Sequence, residues 1–405
     1  MVDAAALDAA DPLAFARARF RLPEGVIYFD GNSLGALPAS TSEALLNTVE
    51  RQWGEDLIAS WNKHDWIDWP KSIAAKLAPI LGAKAGELLI ADSTSVCLFK
   101  LLSAATNARR GRKAIVTNAG NFPTDLYVAE GLARMMGVEL RAVPDDQIID
   151  SIDPDTAVVC LTHVNYRSAS VFDMPLINEA AHAAGALTVW DLSHSAGAIE
   201  LNLDECGCDL AVGCGYKYLN GGPGAPAFIF VAERLQNELQ PPLQGWMGHA
   251  DPFAFEETYR PLAGIGRFLT GTPSILALAA LDAGLSTFEG ISMRDVVVKS
   301  RALSQLFIER VEARCPDALE LVSPRDSKDR GSHVIFAHPQ AYAVTQALIA
   351  RGVIGDFRSP DLMRFGFAPL YNSFSEVVRS AEILAHIFAT GEWDQPRFHR
   401  RAKVT

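Results

Sequence analysis

The apolar positions of this chain fall into short continuous runs separated by stretches with helical spacing. Runs at 114–117, 157–162, 187–192, 210–214 and 228–231 each read as a strand. In the second, Val158, Val159 and Cys160 follow one another without a polar interruption. Positions 177–184 carry the spacing of a helix, and Gly185 stops it. Fully apolar strands alternating with helices predict a parallel sheet buried on both faces. Beyond position 272 the pattern turns helix-rich, over 274–289 and 303–315, with late strands at 333–337 and 362–367. The expected architecture is α/β, with a large domain over 40–270 and a smaller α+β domain over 271–405. The N-terminal segment, 1–39, is expected to pack with the other domains.

A length of 405 residues agrees with two domains, and 49% hydrophobic against 21% charged residues is the balance of a folded globule. Lys and Arg number 36 and Asp and Glu 48, a formal charge of −12. That surface lacks the basic footprint of a nucleic-acid partner, while leaving room for a small anion held locally. The first ten residues are alanine-rich and acidic, with neither the basic region nor the apolar run of a signal peptide. The most apolar stretch, 275–285, is broken by Asp282 and too short to span a bilayer. The expectation is a cytoplasmic protein with no membrane partner. Six cysteines fit no disulfide framework. Cys206, Cys208 and Cys214 cluster, but their spacing matches no common zinc site, so packed thiols and no metal are expected.

Chemistry enters at Val189-Trp190-Asp191-Leu192-Ser193-His194, where an aspartate follows directly on an apolar strand. In a parallel α/β sheet the strand C-termini line the ligand crevice. A carboxylate there can pair with the protonated pyridine nitrogen of pyridoxal 5'-phosphate (PLP), or it can simply cap the next helix. The balance shifts at Gly213-Cys214-Gly215-Tyr216-Lys217-Tyr218-Leu219, again just past an apolar strand. A lysine at such a strand end is placed to form a Schiff base, although most lysines are solvated surface charges. The pairing of Asp191 with Lys217 favours a PLP site. Asp92-Ser93-Thr94-Ser95 supplies hydroxyls at the start of a helical pattern, suited to a phosphate as well as to a cap. In Asn121-Phe122-Pro123-Thr124-Asp125, Phe122 can stack on a ring, and Asp125 is a second acid or a turn residue.

With these segments in view the sequence resembles the kynureninase family across nearly its whole length. The resemblance rests also on Tyr28-Phe29-Asp30-Gly31-Asn32-Ser33-Leu34-Gly35, Gln244-Gly245-Trp246, Gly271-Thr272-Pro273, and the run from Arg364 through Gly366, Pro369 and Tyr371 to Asn372. It implies a PLP-dependent aminotransferase-like fold, with a mostly parallel seven-stranded sheet in the large domain. It implies hydrolysis of the Cβ–Cγ bond of L-kynurenine to anthranilate and L-alanine in tryptophan catabolism, with 3-hydroxy-L-kynurenine as a second candidate substrate. By resemblance Lys217 is the Schiff-base lysine and Asp191 the partner of the pyridine nitrogen. Thr94, Ser95 and Tyr216 fall on the phosphate side, and Phe122 covers the ring. Asp125, Thr162 and His194 surround the ring and its phenolic oxygen. Trp246 and Thr272 match positions supplied by the neighbouring subunit of a homodimer with shared active sites. Threonine at 272 is more like the bacterial, kynurenine-preferring members. Arg364 matches the arginine that takes the substrate α-carboxylate, and a planar guanidinium suits that task. Tyr216 is the candidate proton donor or acceptor.

Two other readings compete. A cysteine desulfurase or selenocysteine lyase of the same fold needs a nucleophilic cysteine on a mobile loop of the C-terminal half. Of the six cysteines only Cys315 lies in the expected small domain, at the end of a helical pattern. A non-catalytic PLP-binding regulator would carry a basic DNA-binding segment, and none is attached.

Overall fold

Seven strands build the central sheet of the computed structural model, which describes residues 3–401. In chain order they are β1 (Leu88–Ala91), β2 (Ala114–Asn118), β3 (Glu139–Val143), β4 (Thr156–Thr162), β5 (Leu187–Asp191), β6 (Leu210–Cys214) and β7 (Ala227–Val231). Across the sheet the order is β1-β7-β6-β5-β4-β2-β3. Only β7 runs against its neighbours, β1 and β6. The mostly parallel seven-stranded sheet expected from the sequence is thus present. The hydrophobic runs did not reveal β1 or β3. Strand β3 is an edge strand whose residues stay partly solvated, with Glu139 and Arg141 among them, so it carries no apolar run. The central strands β4, β5 and β6 are buried at every position.

The helices are delimited by local chemistry. The helix Met174–Ala184 begins at Asp173, whose carboxylate accepts from Leu176 N, and has proline in its first turn. It ends at Gly185, in the left-handed region at φ 77°. The helix Pro123–Met136 likewise ends on left-handed Gly137. Parallel pairing places the C-termini of β4, β5 and β6 along one rim.

The C-terminal part holds a four-stranded antiparallel sheet, in the order Glu320–Leu321, His333–Ala337, Leu362–Gly366, Asp356–Arg358. Its core includes Phe307, Phe336, Phe365, Val344 and Leu384 from sheet and helices. The helix Ile275–Ser286 instead packs Leu278, Leu281 and Leu285 into the larger core. The changeover falls inside the helix Met293–Arg314, where Val296 joins the larger core and Leu303 the smaller.

The N-terminal segment is divided between the two cores. Leu13, Ala16 and Phe20 lie in the larger one, Ile27 and Phe29 in the smaller. Ile27–Tyr28 pairs in parallel with Val353–Ile354, and Asp30 bridges Gly366. At Gly366 a β-carbon would overlap the Asn32 carboxamide, so this close crossing requires glycine.

Candidate active site

Strand register assembles the centre of the site. Thr162 and Asp191 are direct partners on β4 and β5, so their side chains emerge together at the rim. Asp191 Oδ1 accepts from Ser193 N at 2.7 Å, which fixes the carboxylate. The chain turns here without forming a helix, so Asp191 is not a helix cap. Thr162 Oγ1 donates to Asp125 Oδ2 at 2.9 Å. Both acids are buried. Burial, and then the neighbouring Asp191 carboxylate, push Asp125 well above the usual carboxylate range.

Lys217 follows β6 and faces this acid pair. Its Nζ lies 3.3 Å from His194 Nε2, and about 6.0 Å from the centre of the Phe122 ring. Burial, and then the Lys217 ammonium, hold His194 well below the ordinary histidine value, so its imidazole is neutral. Burial also raises the Tyr216 phenol. Gly35 of the N-terminal segment packs on the Lys217 turn, where a β-carbon would overlap the Lys217 carbonyl oxygen.

Thr94 and Ser95 open the 15-residue helix Thr94–Ala108, and its N-cap residue, Ser93, makes no side-chain cap bond. Unpaired amides and two hydroxyls therefore converge on one edge of the cavity, which suits an anion. One cavity is lined by Thr94, Ser95, Phe122, Asp125, Thr162, Asp191, His194, Tyr216 and Lys217. Thr124, Tyr166 and Ser193 line it too, and sequence reasoning assigned no role to any of them. Tyr166 packs edge-on against Phe122, ring centres 5.2 Å apart. This donor set fits PLP. Two buried carboxylates call for a cationic ring nitrogen, the free helix terminus for a phosphate, and Lys217 for an aldehyde carbon.

Arg364 sits in the middle of Leu362–Gly366 and is 2% exposed, which removes the reading of a surface charge. Its Nε and Nη2 close on Asp356, its Nη1 donates to Tyr166 O at 3.2 Å, and its Nη2 to Ser33 Oγ at 2.9 Å. The Asn32 carboxamide lies 2.8 Å from Nε, and its hydrogen bonding is satisfied when its oxygen is the atom that faces the guanidinium. The Asn32 main-chain oxygen lies 3.1 Å from His194 Nε2. A chain of contacts thus runs Lys217, His194, Asn32, Arg364. The motif from Asp30 to Gly35 supported the family resemblance without any role for its residues. Asp356 was missed because it lies in a three-residue strand with no signal of its own.

Trp246 and Thr272 do not enter this cavity from their own chain. Trp246 is 40% exposed and packs on Phe253. Thr272 lines a separate cavity with Asp92, Ser93 and Thr270, beside the start of the Thr94–Ala108 helix. The cysteines are all unpaired, and no metal-ligand cluster occurs among the described residues. Cys315 is buried in the smaller core at the end of its helix, a poor position for a mobile nucleophile. No helix among the described residues is long and apolar enough to cross a membrane.

Comparison with known proteins agrees with this geometry. Residues 296–384 match the family model of the kynureninase C-terminal domain. Kynureninase of Pseudomonas fluorescens is 49% identical, over 100% of this chain and 99% of its own length. The Deinococcus radiodurans kynureninase is also 49% identical, over 94% of this chain and 95% of its own. Among solved structures, a cysteine desulfurase from Thermococcus onnurineus NA1 superposes with a TM-score of 0.80 at 20% identity, covering 93% of this chain and 98% of its own. A C-DES variant with glycine covalently linked to its PLP cofactor also gives 0.80, at 16% identity, over 91% of this chain and 98% of its own. The structural likenesses establish the fold, and full-length identity near one half establishes more: the chain belongs to the kynureninase family.

Proposed function

We propose that this chain is a PLP-dependent hydrolase that cleaves the Cβ–Cγ bond of L-kynurenine, giving anthranilate and L-alanine. The observation that carries the reading is the contact chain from Lys217 through His194 and Asn32 to Arg364. It connects an amine-reactive lysine to a buried arginine whose planar guanidinium suits a carboxylate.

PLP, when bound, supplies an aldehyde carbon for amines and a conjugated ring that accepts the electron pair released at Cα. Lys217 would hold that carbon and, displaced by the substrate amine, would take the proton from Cα. Asp191 would keep a proton on the pyridine nitrogen, with Asp125, Thr162 and His194 around the ring and its phenolic oxygen. Thr94, Ser95 and Tyr216 would hold the phosphate, and Phe122 would cover the ring. Arg364 would take the α-carboxylate and so aim the Cα–H bond at Lys217. Water would add to the γ-carbonyl carbon, which leaves as the carboxyl of anthranilate, while the Cβ–Cγ electron pair stays with Cβ and gains a proton that Tyr216, on the cavity wall, would relay.

Trp246 and Thr272 would complete the site of a second subunit in a homodimer. The acidic surface and six unpaired cysteines suit the cytoplasm. No observation favours desulfuration, because the C-terminal cysteine is buried in a core. Incubation of purified protein with PLP and L-kynurenine should release fluorescent anthranilate, and L-cysteine should release no sulfide. Borohydride should fix the pyridoxyl group on Lys217, and a label on any other lysine would refute that assignment.

A further inference from the structure

The buried cluster around Arg364 holds more charge than one arginine. Arg364 Nε donates to Asp356 Oδ1 at 2.9 Å, and its Nη2 to Oδ2 at 2.5 Å. Arg358 Nη2 donates to the same Oδ2 at 2.6 Å, and Ser33 Oγ to it at 2.9 Å. One carboxylate is therefore shared by two guanidinium groups. Burial works to raise Asp356, but Arg364 and Arg358 outweigh it and hold the group below its ordinary value.

The fourth member is Asp30, whose backbone bridges Gly366, two positions from Arg364. Its Oδ1 is buried without a hydrogen-bond partner, and no ion pair joins it to either arginine among the described residues. The other titratable groups that face this cluster are uncharged. Burial raises the phenols of Tyr28, Tyr218 and Tyr371, and it keeps the imidazoles of His194 and His333 neutral. The next cation, Lys217, lies beyond His194. The local sum is then two cations, one anion in Asp356, and Asp30. With Asp30 ionised the pocket is neutral, and an arriving carboxylate would leave a buried net negative charge. With Asp30 protonated the pocket carries one positive charge, which the carboxylate neutralises.

We propose that Asp30 is a positioning residue of the α-carboxylate site, protonated when substrate is bound, whose ionised form cancels the net positive charge that Arg358 and Arg364 would otherwise offer the substrate carboxylate. The inference rests on the assignment of Arg364 to the α-carboxylate. Burial, and then repulsion from Asp356, hold Asp30 at about 7, inside the range of an ordinary assay. The sign follows. Below that value the pocket is charged and receptive. As pH rises through it, Asp30 ionises and binding weakens.

The test compares KM for L-kynurenine in the PLP-loaded wild type and in Asp30→Asn between pH 6 and 9. The ratio of the two cancels titration of the substrate amine. The wild-type KM should rise relative to the variant by up to about tenfold per pH unit above 7. A structural defect in the variant would instead lower kcat at every pH. A KM ratio that stays constant from pH 6 to 9 overturns the proposal. Should Asp30→Asn fail to fold, proton uptake by the wild type decides. At pH 8, L-alanine should draw in close to one proton per site more than ethylamine, which has no carboxylate, and equal uptake overturns the proposal. Anthranilate release by the wild type at pH 6.5 tests the hydrolase reading separately, so failure of one is distinguishable from failure of the other.

Discussion

At the scale of single residues, the site depends on where charges are placed. Asp191 and Asp125 are buried together, and their repulsion is relieved by a proton held on Asp125 or by a cation beside Asp191. Asp191→Asn should therefore weaken PLP binding and slow Cα deprotonation, with Asp191→Glu less damaging. PLP titration and the isotope effect on α-deuterated L-kynurenine would measure both, and near-normal values in both variants would count against the pyridine role. Arg364→Ala should raise KM and lower kcat together, because a carboxylate held loosely also misaims Cα–H. Loss of a buried charge-assisted pair costs on the order of 2–5 kcal/mol, a fall of roughly thirtyfold to several thousandfold in kcat/KM. Arg364→Lys should restore only part, since an ammonium makes no planar two-pronged contact. Lys217 and Asp191 stood out because each sits at the end of an apolar run, and Arg364 through the family resemblance of its motif. Asp356, Asp30 and Asn32 did not, because their importance comes from what folding brings opposite them.

At the scale of elements, strand ends explain most of what the sequence disclosed. A fully buried strand leaves a continuous apolar run, and the polar residue that ends it marks the rim where ligands bind. Edge strand β3 and the two-residue ribbons of the N-terminus leave no such run. The start of the Thr94–Ala108 helix shows a second kind of dependence. Lys100, on that helix, is completely buried and ion-paired with Asp92, and its Nζ also donates to Phe268 O at 2.7 Å. Asp92 itself is in the left-handed region at φ 39°, directly before the phosphate-side hydroxyls. Lys100 therefore ties the helix start to the loop that leads to Thr272. Lys100→Met should cost roughly 1–3 kcal/mol in chemical denaturation of the apoprotein, short of a fully buried pair because Asp92 is partly solvated. It should also weaken PLP binding, and unchanged stability and affinity would show that the pair is dispensable.

At the scale of the whole molecule, the separation of Trp246 and Thr272 from the Lys217 cavity has a stoichiometric consequence. If a second subunit supplies them, Lys217→Ala mixed with a Trp246→Ala, Thr272→Ala double variant should recover activity after subunit exchange. Random pairing makes half of the dimers mixed, each with one intact site, so recovery should approach about a quarter of wild type. Recovery at background level would mean that each chain works alone. Mixing Lys217→Ala with Arg364→Ala should likewise recover activity only if those residues act from different chains, and here they lie on one. The placement of the N-terminal segment bears on a different matter, the order in which the protein is made. Asn372 Nδ2 donates to Tyr28 O across 344 positions, and Ile27–Tyr28 pairs with Val353–Ile354. A ribosome releases Tyr28 344 residues ahead of its partner Asn372. The nascent chain must carry that segment unpaired while the residues between are made, with Phe29 lacking its core. The carboxylate pocket is consequently a late product of synthesis, and a ribosome stalled before residue 364 holds a chain that has the lysine but not the arginine.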